Sequence, residues 1–364
     1  MFQAILPLTK YLKPKSVNIY DFAFVLHCKV TVFILLTSTI LVSARQFFGQ
    51  PIECMADEKN LEYVNLFCWT MGTFILTDSN DQINNRNSIA VGVGTEYTDS
   101  QRLYVRYYQW VVIILLIQAF VFYLPAFLWK KWEGGFISQL CDGFERKVLI
   151  SDSANKERRA YLMQIFHPNY KQMHRSYAKN YFLCEILNFF ICILNLTLMN
   201  TFFNGFWSSY SQAMKQIPSY NWNQWNEMSS RVFPKITKCE FFKYGGSGSQ
   251  SKFDCLCVLP INILNEKIFA FLYVWFLILM VVSAMHLTFR IIATCSNAAR
   301  IIMTQCSVGC NQKKQVHQLV QDMSYSEWFL LTRICVNINP LMFAELIRDL
   351  YDFQRLRNNN EMSV

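Results

Sequence analysis

Apolar residues in this chain are gathered into four long blocks, separated by stretches in which polar and apolar positions mix. The blocks, at residues 25–44, 111–129, 181–203 and 268–293, each approach or exceed the roughly 20 residues that a helix needs to cross a hydrocarbon core about 30 Å thick. Apolar residues are concentrated in these blocks instead of being spread at helix or strand spacing, as they are in a soluble protein. The pattern predicts an all-α integral membrane protein with four transmembrane helices. An even number of crossings puts both termini on one side.

Between the blocks the pattern changes. Phe136, Ile137, Leu140, Phe144, Val148 and Leu149 recur at roughly helical spacing in the connection at residues 130–180. Two apolar runs in the tail at residues 294–364, from Trp328 to Ile334 and from Leu341 to Phe353, are parted by Pro340, which should end or bend a helix. Both regions predict amphipathic helices in a common helical layer, with disorder after Arg357. The segments at residues 45–110 and 204–267 are each too small for a good core of their own. The second holds an aromatic, Asn-rich stretch (Tyr220, Trp222, Trp225) and a flexible turn from Gly245 to Ser251. Packed together and cross-linked, the two predict one small cap.

Charge orients this layout. Of 34 Lys and Arg residues, residues 1–29 hold four, residues 130–179 hold ten and residues 290–364 hold eight. Basic residues beside a span resist translocation. The N-terminal segment (residues 1–24), the middle connection and the tail are therefore predicted cytoplasmic, and the two cap segments extracellular. A net charge of +9 then reflects topology and a basic face toward anionic membrane lipid, with no nucleic-acid partner implied. Val42, Ser43 and Ala44 resemble a signal-peptidase site, but the polar segment before the first block is long for a signal sequence.

The 13 cysteines sort by predicted compartment. Cys54 and Cys68 fall in the first cap segment and Cys239, Cys255 and Cys257 in the second, all facing oxidising solvent. They allow two bridges with one thiol left over, and the connectivity stays open at this point. The other eight face membrane or cytoplasm. Among these, Cys306, Cys310 and His317 match no zinc spacing, and Cys295 is a juxtamembrane candidate for lipidation. His167 and His174 read as surface histidines. Few ionisable residues lie within the spans. Glu185, His286 and Arg290 lie near span ends, where snorkelling to the interface accounts for them. No nucleophile elbow, Walker loop or His-Glu-x-x-His motif occurs, so the chain is not expected to be an enzyme or to carry a cofactor or metal.

One stretch is more specific. Tyr107-Tyr108-Gln109-Trp110-Val111, followed by Gln118-Ala119-Phe120 and by Phe122-Tyr123-Leu124-Pro125, resembles the innexin signature at the second span. Supporting matches are Lys29-Val30-Thr31-Val32, Pro51-Ile52-x-Cys54, Cys68-Trp69-x-x-Gly72-Thr73, Phe233-Pro234, Cys257-Val258-Leu259 and Asn265-Glu266-Lys267-Ile268-Phe269. The resemblance covers roughly residues 20–350. It implies a subunit of a large-pore channel, an octamer in this family, built from copies of this chain or with other innexins and docking to a second assembly on the adjacent cell. The location implied is the plasma membrane at gap junctions.

By the same resemblance, Cys54 pairs with Cys257 and Cys68 with Cys239, leaving Cys255 as the extra. Phe2, Gln3, Glu53, Asp57 and Glu58 become candidates for lining the pore, and the acidic surplus of the first cap segment suggests weak cation preference. Val112 stands where a proline is common, Met71 where a histidine is common and Met55 where a tryptophan is frequent. These departures bear on gating and docking. Two other readings share the topology: an undocked hemichannel, and a non-conducting adhesion or scaffold protein. The cap segments carry no Asn-x-Ser/Thr site, and the match at Asn195 lies inside a span, so no glycan blocks docking there.

Overall fold

The computed structural model describes residues 17–77, 90–96, 101–141, 152–203, 211–212, 215, 222–308 and 313–362. Helix α1 spans Phe22–Phe48 and contains a π-helical stretch at Leu26–Thr31. Strand β1 (Glu53–Cys54), helix α2 (Leu61–Met71) and strands β2 (Thr73–Thr77) and β3 (Gln101–Val105) follow. Next come helices α3 (Val111–Glu133), α4 (Phe136–Leu140), α5 (Asp152–Ile165), α6 (Lys171–Phe202) and α7 (Trp222–Val232). Strands β4 (Ile236–Tyr244) and β5 (Gln250–Val258) lead into α8 (Pro260–Cys295). The tail holds α9 (Asn297–Val308), α10 (Lys313–Asp322), α11 (Tyr325–Asn337) and α12 (Pro340–Met362).

Helices α1, α3, α6 and α8 are long and apolar enough to cross a membrane. They outrun the apolar blocks that announce them. At about 1.5 Å per residue, the 36 residues of α8 extend about 54 Å, well beyond a core of about 30 Å. The surplus turns pack against protein and tolerate polar residues. Their outward faces are apolar too: Phe33, Ile40, Phe120, Phe190 and Met285 are all more than half exposed. Water penalises such surface, and lipid does not. Helix α3 continues through Pro125 to Glu133.

Two compact units make up the chain, and each division between them falls inside one of the four long helices. One unit comprises residues 1–28, 124–189 and 281–364. Its core gathers Trp129, Tyr181, Phe329, Leu330, Leu331, Ile334, Leu346 and Ile347, all fully buried. The middle connection and tail thus form helices as the spacing predicts. Ser324 and Glu327 cap α11 reciprocally. Pro340 starts α12, where its missing N–H costs nothing. The Glu133 carboxylate accepts from the N–H groups of Gly135 (2.8 Å) and Ile137 (2.7 Å), fixing the start of α4. Helix α12 runs past Arg357 to Met362, which corrects the expectation of disorder there. Phe144, Val148 and Leu149 lie outside the described residues.

The other unit comprises residues 29–123 and 190–280. Helix dominates the protein as expected, but here the cap segments add a five-stranded antiparallel sheet in the order β1-β5-β4-β2-β3. The β4–β5 hairpin pairs Ile236 with Val258 and ends with Tyr244 opposite Gln250, across the Gly-rich turn. Thr237, Cys239 and Phe241 are buried at every second position, the period of a strand with one covered face. Disulfides join Cys54 to Cys257 and Cys68 to Cys239, the same pairs the family resemblance implies. The first ties β1 to β5, and the second ties α2 to β4.

Gly72 ends α2 with φ +89°, and its N–H donates to the Cys68 carbonyl at 3.1 Å. A Cβ there would lie 2.6 Å from Arg106 Cγ. Gly72→Ala combines this clash with an essentially glycine-only backbone conformation, φ +89° and ψ 164°, that costs an L-residue about 1–3 kcal/mol. The variant is expected to unfold several degrees below wild type in a thermal scan of the detergent-solubilised protein, and an unchanged midpoint contradicts the assignment.

Candidate functional site

The first group of candidate residues surrounds the Cys54–Cys257 bridge. Glu53 precedes Cys54 on β1 and is exposed, as are Asp57 and Glu58 just beyond it. Asp57 meets Lys243 Nζ at 3.2 Å, so part of its charge is answered within the chain. Glu53 and Glu58 form none of the ion pairs seen among the described residues. The Cys54 N–H donates to Asn65 Oδ1 at 2.8 Å, anchoring β1 on α2. Phe2 and Gln3 lie outside the described residues.

The tyrosine-rich signature forms a packed corner at the start of α3. Tyr108 is fully buried and stacks on Trp69 at 4.9 Å. Tyr107 meets Phe203 edge-on at 5.2 Å, and Phe203 in turn meets Phe269 at 4.6 Å and Phe233 at 4.9 Å. Gln109 Nε2 donates to the Trp69 carbonyl at 2.5 Å. Trp110 is 56% exposed, which suits an interfacial anchor. Burial raises the Tyr108 hydroxyl to about 12. Beside this corner the fully buried Glu266 accepts from Trp225 Nε1 at 2.6 Å and pairs with Lys235 at 3.0 Å and Lys267 at 3.3 Å. The signature therefore fixes where spans leave the sheet; Pro125 sits further along α3, in the other unit.

Sequence reasoning missed a second constellation. Glu185, His286 and Arg290 do not snorkel: Glu185 and Arg290 are about 5% exposed, and all three converge on Asp21, the residue before α1. Arg290 and Arg333 both pair with the Asp21 carboxylate. Arg290 Nε also reaches Glu185 at 3.1 Å, and His286 Nδ1 lies 3.4 Å from Glu185. Tyr181 Oη donates to Asp21 Oδ2 and accepts from the Asp21 N–H, both at 3.0 Å. The Arg333 guanidinium sits 4.8 Å from the Tyr181 ring and 5.1 Å from that of Phe329. Two carboxylates and two guanidiniums balance without help. Asp21, Glu185 and His286 have donor atoms close enough together for a metal, but Arg290 and Arg333 hold both Asp21 oxygens and Arg290 holds Glu185 Oε1.

The cluster pins the start of α1 to α6, α8 and α11. Just before it, the Trp129 indole donates to the Ile19 carbonyl at 3.2 Å, and Asn337 holds both the N–H and the carbonyl of Asn18. Its only sequence signal was the pair of acids and arginines at matching depth near span ends, since Asp21 and Arg333 look like ordinary flanking charges. Burial opposes ionisation of Asp21, but Arg333 and Arg290 outweigh it and hold the carboxyl at about 2.

Asp21→Asn leaves two buried arginines short of a partner, a loss on the order of 3–5 kcal/mol. A carboxylate depressed from 3.8 to about 2 stabilises the fold above about pH 4 and stops doing so as pH falls toward about 2. Thermal scans are expected to show a wide gap between wild type and Asp21→Asn at neutral pH that narrows on acidification below about pH 4. A gap that holds constant down to about pH 2.5 contradicts the role given to this carboxylate.

The innexin family model matches residues 20–353. The chain is 42% identical over 360 residues to innexin inx4 of Drosophila melanogaster, covering 98% of this chain and 97% of that protein. It is 39% identical over 353 residues to innexin inx4 of Anopheles gambiae, covering 96% and 91%. It is 35% identical over 351 residues to innexin inx2 of Drosophila melanogaster, covering 96% and 95%. With four apolar helices, two loop-to-loop disulfides and the tyrosine-rich corner in place, the chain belongs to the innexin family and is a multi-pass membrane subunit of a gap-junction channel.

Proposed function

We propose that the disulfide-bearing sheet faces the extracellular gap, that both termini and the middle connection are cytoplasmic, and that Glu53, Asp57 and Glu58 line the pore. The observation that carries this reading is the pair of bridges, because disulfides persist on the oxidising side of a membrane. Among the described residues, the thiols of Cys141, Cys184, Cys295 and Cys306 are unbridged and belong to the other unit, while Cys192, in a span, and Cys255 are unbridged in the unit that holds both disulfides. The excess of basic residues in the terminal and middle segments supports the same orientation. Assembly with other innexins into an octameric ring rests on the family resemblance.

The acidic residues give the pore its selectivity. Exposed carboxylates concentrate cations in a confined aqueous path, the more so where no lysine answers them. Asp57, which meets Lys243, contributes less than Glu53 and Glu58. A weak preference for cations follows.

Dual voltage clamp on paired cells expressing only this chain tests conduction and docking together. Junctional current above that of mock pairs is the expected result; membrane current in single cells without junctional current would favour an undocked channel. In conducting pairs, the combined Glu53→Gln, Asp57→Asn and Glu58→Gln variant is expected to move the reversal potential under a salt gradient toward zero. An unmoved reversal potential removes these residues from the pore wall.

A further inference from the structure

One buried thiol is left unexplained by the channel. Cys255 lies on β5 two residues from Cys257, facing the same side of the strand. In the β4–β5 register it stands opposite Cys239, while Cys257 stands opposite both Thr237 and Cys54. Its sulfur is 3.8 Å from that of Cys257. The sulfurs of Cys54, Cys68, Cys255 and Cys257 all lie within 4.8 Å of one another. A free thiol thus sits at contact distance from one disulfide and within a short movement of the other. Neither the disulfide framework nor the channel pore needs a fifth cysteine here.

We infer that Cys255 is a thiol–disulfide exchange site, able to take Cys54 from Cys257 and so switch the link between the two cap segments from one residue of β5 to another. The Cys255 thiolate attacks Cys54 Sγ, the Cys255–Cys54 bond forms, and the Cys54–Cys257 bond breaks. Cys257 leaves as a thiolate and takes up the proton that Cys255 gave up. No oxidant or reductant is consumed, because one thiol and one disulfide are present before and after.

The strand geometry favours Cys54 as the sulfur attacked. Attack on Cys257 instead would bridge residues i and i+2 of one extended strand, about 6.7 Å apart at Cα, near the upper limit for a disulfide. That bond would also cut the link between segments. Transfer to Cys54 keeps them joined and needs only that β1 slide by two residues along β5. A two-residue slide preserves which face each side chain occupies, whereas a one-residue slide would invert it. Strand β1 is only two residues long and sits at the sheet edge, so few ladder bonds resist. The slide must release the Met55 N–H from the Leu256 carbonyl (2.8 Å) and carry Cys54 away from Asn65. On the pore-lining reading proposed above it also shifts Glu53, Asp57 and Glu58; the exchange itself does not depend on that reading.

Burial raises the Cys255 thiol to about 11, so little thiolate is present at neutral pH and the exchange is slow there. Its rate should rise about tenfold per pH unit up to that value.

The experiment uses full-length protein in native membranes, held at about pH 7 or about pH 9 without reductant, quenched in acid, denatured, and alkylated with N-ethylmaleimide. Cleavage after Lys252 and Lys267 yields one peptide containing both Cys255 and Cys257. Fragment ions between them show which sulfur carries the alkyl group and which is bridged. The expected result is label on Cys255 at the start and, at the higher pH, a growing fraction on Cys257 with Cys54 linked to Cys255, about a hundredfold faster than at neutrality. Cys255→Ser should abolish all label on Cys257. Label confined to Cys255 at both pH values overturns the proposal, as does Cys257 label that persists in Cys255→Ser.

Discussion

Two covalent bonds decide what the smaller segments of this chain can be. Cys54 and Cys257 are 203 residues apart in sequence, and Cys68 and Cys239 are 171 apart. Closing loops of that length removes much of the freedom of the unfolded chain, worth several kcal/mol per bridge in the chain-entropy model. A five-stranded sheet built from two separate cap segments, with edge strands of only two and five residues, lacks the core to hold itself. Bridging supplies what burial does not. Once β1 and α2 are fastened to the β4–β5 hairpin, the tyrosine-rich corner has a rigid base, and the start of α3 is set by packing instead of by lipid alone.

In the other unit the same task falls to charge. Cytosolic reducing conditions, which the proposed orientation implies for this unit, rule out lasting bridges, and here Asp21, Glu185, Arg290 and Arg333 tie the start of α1 to three further helices. Such a cluster gives position more than net stability, since burying four charges costs nearly what their attraction returns. Removing one member is another matter, because the rest are left buried and unanswered. The aromatic rings of Tyr181 and Phe329 beneath the guanidiniums recover part of the desolvation cost.

The four spans were legible because lipid imposes one requirement, an apolar surface over about 20 residues, and that requirement is local. Their ends were not: the first turns of α6, from Lys171 to Lys179, and of α8, with Asn262, Asn265 and Glu266, are polar, and Asn262 and Glu266 are held by Pro234 and Trp225, neighbours that hydropathy does not see. The sheet was obscured for a related reason. Ile236–Tyr244 alternates as a strand should, yet β1 and β2 are too short to carry a period, and the pairing of β1 with β5 and of β2 with β4 is a matter of contacts across more than 150 residues. The bridge pairs came from family resemblance, since five cysteines allow several connectivities. The charged cluster stayed hidden because Asp21, Glu185 and Arg290, taken singly, have an ordinary explanation near a span end and Arg333 reads as a charge on a tail helix, and only their convergence on Asp21 gives them a shared role.

On the proposed orientation the molecule is bridged outside and salt-linked inside, and sidedness can be measured on intact cells. A maleimide carried on a polymer too large for the pore should label Tyr244→Cys in intact cells, since Tyr244 is 70% exposed at the end of β4 in the bridged sheet. The exposed thiols of Cys295 and Cys306 should label only once the membrane is permeabilised. Label on Cys295 or Cys306 in intact cells, or label on Tyr244→Cys that appears only after permeabilisation, would invert the orientation and contradict the account.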